Sequence, residues 1–219
     1  LHLYHNKMIG VGLHRNKNGI QLVSLFDLNR GVELLNNSNT SLFRLRVSSG
    51  KDETRLNNES SWNSIKIQWN TNGKPPSLTC HFTDPLNTKL KGLSVVCRVQ
   101  FHNNLTHWTL ETKLPETGLS LLGSEFPSID AGPIGKVPEE NVLHYPRGPG
   151  IATPSPYSRG INYSQVYPNW EATYQMLGLY DQQGGLYIAS HDPTGSVKTI
   201  SARTEGEKVR FRFNWPAPN

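Results

Sequence analysis

Apolar and polar residues alternate with a period of two along most of this chain. Near the C-terminal end, for example, Val209, Phe211 and Phe213 alternate with Arg210 and Arg212. Because successive side chains of a β-strand point to opposite faces, this pattern predicts strands with one buried and one solvated face. About eleven runs of this kind, separated by Asn-Gly, Gly-Gly and similar turn sequences, predict antiparallel meanders.

No segment shows a sustained helical period with a start and a stop signal, so we expect little helix. About eleven strands are too many for one flat sheet, which favours a large two-sheet antiparallel β-sandwich. We expect residues 1–219 to form a single domain. Residues 126–168 are rich in Pro and Gly and are predicted to form a long ordered loop whose aromatic side chains pack against the sheets.

The charge balance is 22 Lys and Arg against 17 Asp and Glu, a net charge of +5. Most basic residues are dispersed along strand-like runs, whereas nucleic-acid binding requires clustered bases, so no nucleic-acid partner is expected. No apolar stretch is long enough to span a bilayer as a helix, and no membrane span is predicted. The chain starts at Leu1 and ends directly after a strand-like run, so we expect it to be a fragment of a longer chain.

The two cysteines, Cys80 and Cys97, lie on neighbouring strand-like runs at equal distances from the turn between them. They form a disulfide if the register places them at a close, non-hydrogen-bonded position, and otherwise they are two buried thiols. The histidines lack the spacing and the partners of metal ligands, so neither a metal nor a cofactor is expected. Motifs of nucleophilic serine and nucleotide sites are absent, and no catalytic residue is predicted.

One stretch resembles a known family. Leu-Tyr-Asp at 179–181, followed by Gly-Gly-Leu-Tyr-Ile-Ala-Ser-His-Asp-Pro at 184–193, resembles the end of an N-terminal β-domain that precedes a catalytic (β/α)8 barrel in a glycoside hydrolase family. The sequences at 19–35, 126–129 and 143–146 are similar to parts of a galactose-mutarotase-like supersandwich. The resemblance covers most of the chain.

The resemblance implies a supersandwich that is non-catalytic by itself and supports the catalytic barrel of the same parent chain, which would follow residue 219. It also implies a secreted enzyme of polysaccharide degradation, located in the extracellular space or the periplasm, with carbohydrate as a further partner. The family's catalytic carboxylates lie on the barrel, so this chain would hold none of them.

Five residues are candidate carbohydrate contacts. Trp170 either stacks on a pyranose ring or belongs to the core. His191 and Asp192 either contact sugar hydroxyls at a strand end or form a turn with the following proline. Tyr145 and Arg147 either hold an acidic sugar or fasten the long loop to the sheet.

Two alternatives to the hydrolase domain stay open. An independent carbohydrate-binding module predicts an exposed row of aromatic side chains on one sheet face. A sugar epimerase or polysaccharide lyase on the same fold requires His, Tyr and carboxylate side chains that converge on one surface. Fold by itself does not separate these functions, because one fold hosts many.

Overall fold

The computed structural model describes residues 2–35, 40–116 and 118–217 of the chain. Within these residues, eighteen β-strands account for nearly all regular structure. The helical segments there are one four-residue α-helix, α1 (Pro156–Arg159), and 3-10 turns at Thr88–Leu90 and Pro138–Glu140. The predictions of an all-β chain and of little helix are confirmed. No helix in this described part is long and apolar enough to cross a membrane.

The strands alternate with short turns along the whole described chain. The first ten are β1 (His2–His5), β2 (Ile9–Arg15), β3 (Ile20–Asp27), β4 (Val32–Glu33), β5 (Arg44–Ser49), β6 (Asp52–Asn57), β7 (Trp62–Asn70), β8 (Ser77–Pro85), β9 (Ser94–His102) and β10 (Leu105–Lys113). The other eight are β11 (Leu119–Ala131), β12 (Val142–Tyr145), β13 (Ile151–Pro154), β14 (Asn162–Tyr167), β15 (Met176–Asp181), β16 (Gly184–Ala189), β17 (Lys198–Glu205) and β18 (Lys208–Pro216).

These strands form four small sheets rather than two large ones. Three sheets have four strands, in the orders β1-β2-β3-β4, β10-β9-β8-β7 and β13-β12-β15-β16, and the fourth has the order β14-β17-β18-β11-β5-β6. The predicted two-sheet sandwich, and with it the galactose-mutarotase-like supersandwich, is therefore wrong. A four-stranded antiparallel meander such as β7 to β10 is the kind of sheet from which the blades of β-propellers are built.

The error has a physical reason. Alternation with a period of two determines which side chains of a strand are buried, but it carries no information about which strands share a sheet. Strands such as β8 and β9 alternate buried and less buried residues as the strands of a sandwich would, so the pattern does not distinguish the two arrangements.

The stretch 126–168 is not one long loop. It contains the end of β11, the strands β12, β13 and β14, and the short helix α1. These strands were not recognised in the sequence because the stretch is rich in proline. Proline has no N–H group to donate to a neighbouring strand, so a proline-rich sequence does not resemble a β-strand. Tyr145 of β12 is fully buried, packs against Tyr163 with ring centroids 4.9 Å apart, and donates its hydroxyl to the carbonyl oxygen of Ile200 at 2.8 Å.

The chain divides into two compact units. The first contains β1 to β3, β5 to β10 and the beginning of β11. Its core includes three fully buried aromatic side chains, and Phe82 lies at their centre, with ring centroids 5.2 Å from Phe43 and 5.6 Å from Trp62. Large buried rings of this kind contribute most of the apolar area that stabilises a β-rich core.

The two cysteines lie in this first unit. The β8–β9 register places Cys80 directly opposite Cys97, and both are buried free thiols. Pro76 and Phe101 lie one step beyond the register pair Ser77–Gln100, and the amide of Phe101 donates to the carbonyl oxygen of Pro76. If the alternation of antiparallel pairs is counted from there, Cys80–Cys97 is a hydrogen-bonded pair. This is not the closer, non-hydrogen-bonded position that sequence analysis set as the condition for a disulfide.

The second unit contains β4, the remainder of β11 and β12 to β18. Its most highly charged interior site is the carboxylate of Asp130, whose side chain is 4% exposed and accepts from Lys208 at 2.9 Å, Arg210 at 3.1 Å and Arg212 at 2.8 Å. Arg212 also pairs with Glu125 at 2.9 Å. Burial by itself would raise the pKa of Asp130, but the hydrogen bonds from the three cations hold that pKa well below its usual value.

Candidate functional site

One sheet of the second unit, β13-β12-β15-β16, has two chemically distinct faces. On one face the register aligns Leu143 with Leu179, and both side chains are fully buried. On the opposite face it aligns His144 with Gly178 and Gly178 with Tyr187. Because the side chains alternate, the apolar residues of these strands form the core side and leave the imidazole and the phenol ring on the other side.

An open groove of about 530 Å³ lies on this second face. It is lined by His144, Met176, Gly178, Tyr180, Tyr187 and the turn region 181–186. The side chains of Tyr180 and Tyr187 are 38% and 47% exposed. An open groove of this kind, with aromatic walls and a polar turn at one end, suits a ligand that has both apolar and hydrogen-bonding surface.

Two glycines of the sheet give the groove its shape. A Cβ atom at Gly185 would collide with the carbonyl oxygen of Leu179 and with Cβ of Tyr180, so no other residue fits without a shift of the backbone. At Gly178 a Cβ atom would lie 3.5 Å from Cβ of His144 and 3.9 Å from Cδ1 of Tyr180, which is ordinary contact. Gly178 therefore leaves space in the groove that a larger side chain would occupy.

The hairpin turn at the end of the groove is fixed by Asp181. Its Oδ1 atom accepts from the backbone N–H groups of Gln183 at 2.8 Å and Gly184 at 3.0 Å, which is the hydrogen bonding of an Asx turn. Gln182 and Gln183 are exposed beside the groove. Their amide groups both donate and accept hydrogen bonds.

A histidine and a tyrosine are paired beside the groove. His144 Nε2 and the hydroxyl of Tyr174 form a short hydrogen bond, and their ring centroids are 5.9 Å apart. Burial raises the pKa of Tyr174, so its hydroxyl stays protonated at neutral pH. Gly150 has a φ of +100°, and a Cβ atom there would lie 2.9 Å from His144 Nε2 and would collide with the Tyr174 hydroxyl.

Trp170 packs on the same loop as this pair, at Gly148 rather than Gly150, and does not line the groove. Its side chain is 70% exposed, and its backbone carbonyl accepts from the N–H group of Gly148 at 2.8 Å. A Cβ atom at Gly148 would lie 3.0 Å from Cζ2 of the indole, so the ring packs directly on the glycine. Thr173 holds the two loops together through hydrogen bonds from its hydroxyl to the carbonyl oxygens of Gly148 at 2.6 Å and Pro146 at 3.0 Å.

The sequence-predicted residues fall into two clusters within this unit. Trp170 and Arg147 lie together, because the guanidinium of Arg147 forms an ion pair with Glu171 and donates from Nη2 to Oε1 at 3.0 Å. Tyr145 is two residues before Arg147, but its side chain is buried on the other face of the sheet and fastens β12 to β17. The structure thus makes Trp170 accessible to a ligand and leaves Tyr145 inaccessible.

His191 and Asp192 belong to the second cluster, which encloses a lysine that sequence analysis did not single out. The side chain of Lys198 is fully buried, and its ammonium donates to Gln175 Oε1 at 2.7 Å and to Asp192 Oδ2 at 3.0 Å. The same ammonium lies 4.7 Å from the ring centroid of Tyr167 and 4.5 Å from that of Trp215. Cation–π contacts and charge-assisted hydrogen bonds together offset the cost of burying this charge.

Asp192 also forms the turn that sequence analysis weighed against a binding role. Oδ1 accepts from the hydroxyl of Thr194 at 2.6 Å, and Oδ2 accepts from the backbone N–H of Ser196 at 2.7 Å. The Thr194 hydroxyl, the Lys198 ammonium and the Ser196 N–H hold the pKa of Asp192 well below its usual value. His191 is exposed, and its ring centroid lies 6.4 Å from that of Tyr187, so it extends the groove surface.

Sequence analysis missed four residues of this surface, which are His144, Tyr174, Tyr180 and Tyr187. Tyr180 and Tyr187 lie inside the motif that carries the family resemblance. Each directly follows a leucine, so in a strand its side chain points to the opposite face from that leucine. That alternation was a usable signal, because it places both phenol rings on the solvated face of a hairpin.

The described ranges contain no group of three or more His, Cys, Asp or Glu side chains that could hold a metal ion. Comparison with protein-family models and with curated proteins finds no match to this chain.

Proposed function

We propose that this protein binds carbohydrate in the groove between Tyr180, Tyr187 and His144. The observation that carries the proposal is the pair of exposed phenol rings beside Gly178 on one sheet face. This arrangement corresponds to the exposed aromatic row that the binding-module hypothesis requires.

Carbohydrate has the mixed surface that such a groove accommodates. The C–H groups of a sugar ring form apolar patches that pack on aromatic faces, while its hydroxyls need donors and acceptors at the edges. Tyr180 and Tyr187 supply the first kind of contact. The amides of Gln182 and Gln183 and the imidazole of His144 supply the second kind.

The proposal retains one part of the sequence-based prediction, the contribution of this domain to carbohydrate binding. The other part, a non-catalytic role beside the catalytic barrel of a secreted glycoside hydrolase, stays a prediction about sequence outside these 219 residues. The supersandwich no longer supports that part, because the fold differs. An extracellular or periplasmic location likewise stays a prediction.

The test is a glycan array that includes neutral, uronic and sulfated polysaccharides, followed by calorimetry on the best glycan. Tyr187→Ala removes one aromatic wall and should weaken binding by roughly tenfold or more, equivalent to about 1.4 kcal/mol or more. The matched control is Val166→Ala on β14, since Tyr187 and Val166 have the same exposed fraction, 47%, and Val166 does not line the groove.

Two results would overturn the proposal. One is a folded protein that binds no glycan at millimolar concentration. The other is a Tyr187→Ala variant that remains folded by circular dichroism and binds the selected glycan as tightly as the Val166→Ala control.

A further inference from the structure

Trp170 is the most exposed large apolar side chain of the described chain, with 70% of its surface accessible. It is nevertheless held in place on both sides along the backbone. Its carbonyl accepts from Gly148, and the side chain of Asn169 accepts from the N–H groups of Glu171 at 2.7 Å and Ala172 at 3.1 Å. An exposed ring on a backbone fixed by hydrogen bonds is ready to receive a ligand without further ordering of that backbone.

We propose that Trp170 is a second stacking position for the glycan that occupies the groove, and that the glycan is a neutral oligosaccharide chain rather than a single sugar. This inference rests on the proposed function. Trp170 is not among the residues that line the groove, so one sugar ring in the groove does not stack on it.

The loop Gly148-Pro149-Gly150 connects the two positions. Gly148 packs against the indole of Trp170, and Gly150 packs against the rings of His144 and Tyr174. Because two residues span at most about 7 Å, the Trp170 indole and the His144 imidazole lie within roughly 16 Å of each other. A chain of a few sugar units bridges such a distance along this loop, past the exposed ring of Pro149.

The charges near Trp170 favour a neutral chain. The nearest guanidinium, Arg147, already forms an ion pair with Glu171, so it is not available as a dedicated partner for a uronate. Because the guanidinium beside Trp170 is already paired with Glu171, a carboxylated or sulfated sugar gains no dedicated cation at this position.

The experiment measures binding of oligosaccharides of one to six units, prepared from the glycan with the strongest array signal, by calorimetry. The proteins are the wild type, Trp170→Ala, Trp170→Phe and the control Val166→Ala. We expect the affinity of the wild type to rise with the length of the oligosaccharide. Trp170→Ala should lower the affinity for the longest oligosaccharide by roughly tenfold and leave the affinity for the shortest one that binds unchanged. Trp170→Phe, which retains an aromatic ring, should recover most of the loss.

The outcomes separate this inference from the function on which it rests. If no glycan binds at any length, the proposed function itself fails. If binding is tight but independent of length, or if Trp170→Ala leaves the longest chain unaffected, the groove binds carbohydrate and Trp170 is not a second position. If uronic or sulfated chains bind best and added salt weakens them, the assignment of a neutral ligand is wrong.

Discussion

Replacement of Asp130 by Asn should destabilise the second unit strongly. The substitution preserves the shape of the side chain but removes the negative charge that three cations share. The Asp130 side chain is only 4% exposed. Breaking a buried ion pair by neutralising one partner typically costs about 3 to 5 kcal/mol. We expect about 3 kcal/mol, because Glu125 still pairs with Arg212, and because Lys208 and Arg210 are 21% and 29% exposed and regain part of their hydration.

The assay is urea unfolding followed by circular dichroism at pH 7, with hydrogen exchange of β18 amides as a local readout. For a chain of this size, a loss of about 3 kcal/mol corresponds to a decrease in Tm of roughly 6 to 12 °C. The matched control is Asp52→Asn, which removes an exposed ion pair with Lys89 of 2.7 Å and should leave the unfolding midpoint unchanged. Equal midpoints for the two variants would refute the reasoning.

The same variant tests the direction of the pKa shift. The pKa of Asp130 is lower in the folded protein than in the unfolded chain, where it is about 3.9. The unfolded chain therefore binds the proton first, and the stability that the carboxylate contributes is fully present above about pH 5 and is lost as the pH falls below about 4. The difference between wild type and Asp130→Asn should stay constant from pH 7 to pH 5 and narrow at lower pH. A difference that widens on acidification would contradict the assignment.

Three further predictions concern other parts of the molecule. Gly150→Ala should lower both the stability of the protein and its affinity for glycan, because the new Cβ atom would collide with Tyr174 and His144 and the backbone φ of +100° disfavours alanine. In Gly160→Ala the new Cβ atom would have no neighbour within 4 Å, so only the positive φ opposes the change, at about 1 kcal/mol. Lys198→Met should destabilise the protein by about 3 kcal/mol in thermal unfolding, because the carboxylate of Asp192 loses its cation, and a variant as stable as the wild type would show that the buried ammonium contributes nothing net. Burial raises the pKa of Cys80 to about 12, so a thiol reagent should label it at pH 8 only after unfolding, and a count of zero thiols in the unfolded chain would reveal a disulfide instead.

Several features of the site were accessible from the sequence. The Gly184-Gly185 pair correctly indicates a hairpin, although the turn itself lies at Gln182 and Gln183 and both glycines belong to β16. The alternation around Tyr187 places its phenol ring on the solvated side of that hairpin. The opposition of Cys80 and Cys97 follows from their equal distances to the turn. Each of these inferences involves residues joined by one short turn, where geometry is nearly fixed by the chain itself.

The meeting of His144 with Tyr174 and of Lys198 with Asp192, Gln175 and Trp215 did not follow from the sequence. These contacts depend on how the loops after β14 and β16 fold back, and no local propensity encodes that. For the same reason the exposure of Trp170 was left open between a core and a surface position.

The sequence by itself determined that this chain is all-β, which apolar residues of the recognised strands face inward, and roughly where several hairpins turn. These properties arise from the period-two geometry of a strand and from the backbone conformations that Gly and Asn permit, and both act over a few residues. The sequence did not reveal that Arg212, on the side expected to be solvated, is buried against Asp130. The tertiary structure decided that the strands form four sheets instead of two and that His144 of β12 shares a sheet face with Tyr187 of β16. Pairing between strands distant in sequence depends on the summed burial of many side chains, which the pattern of any single strand does not contain.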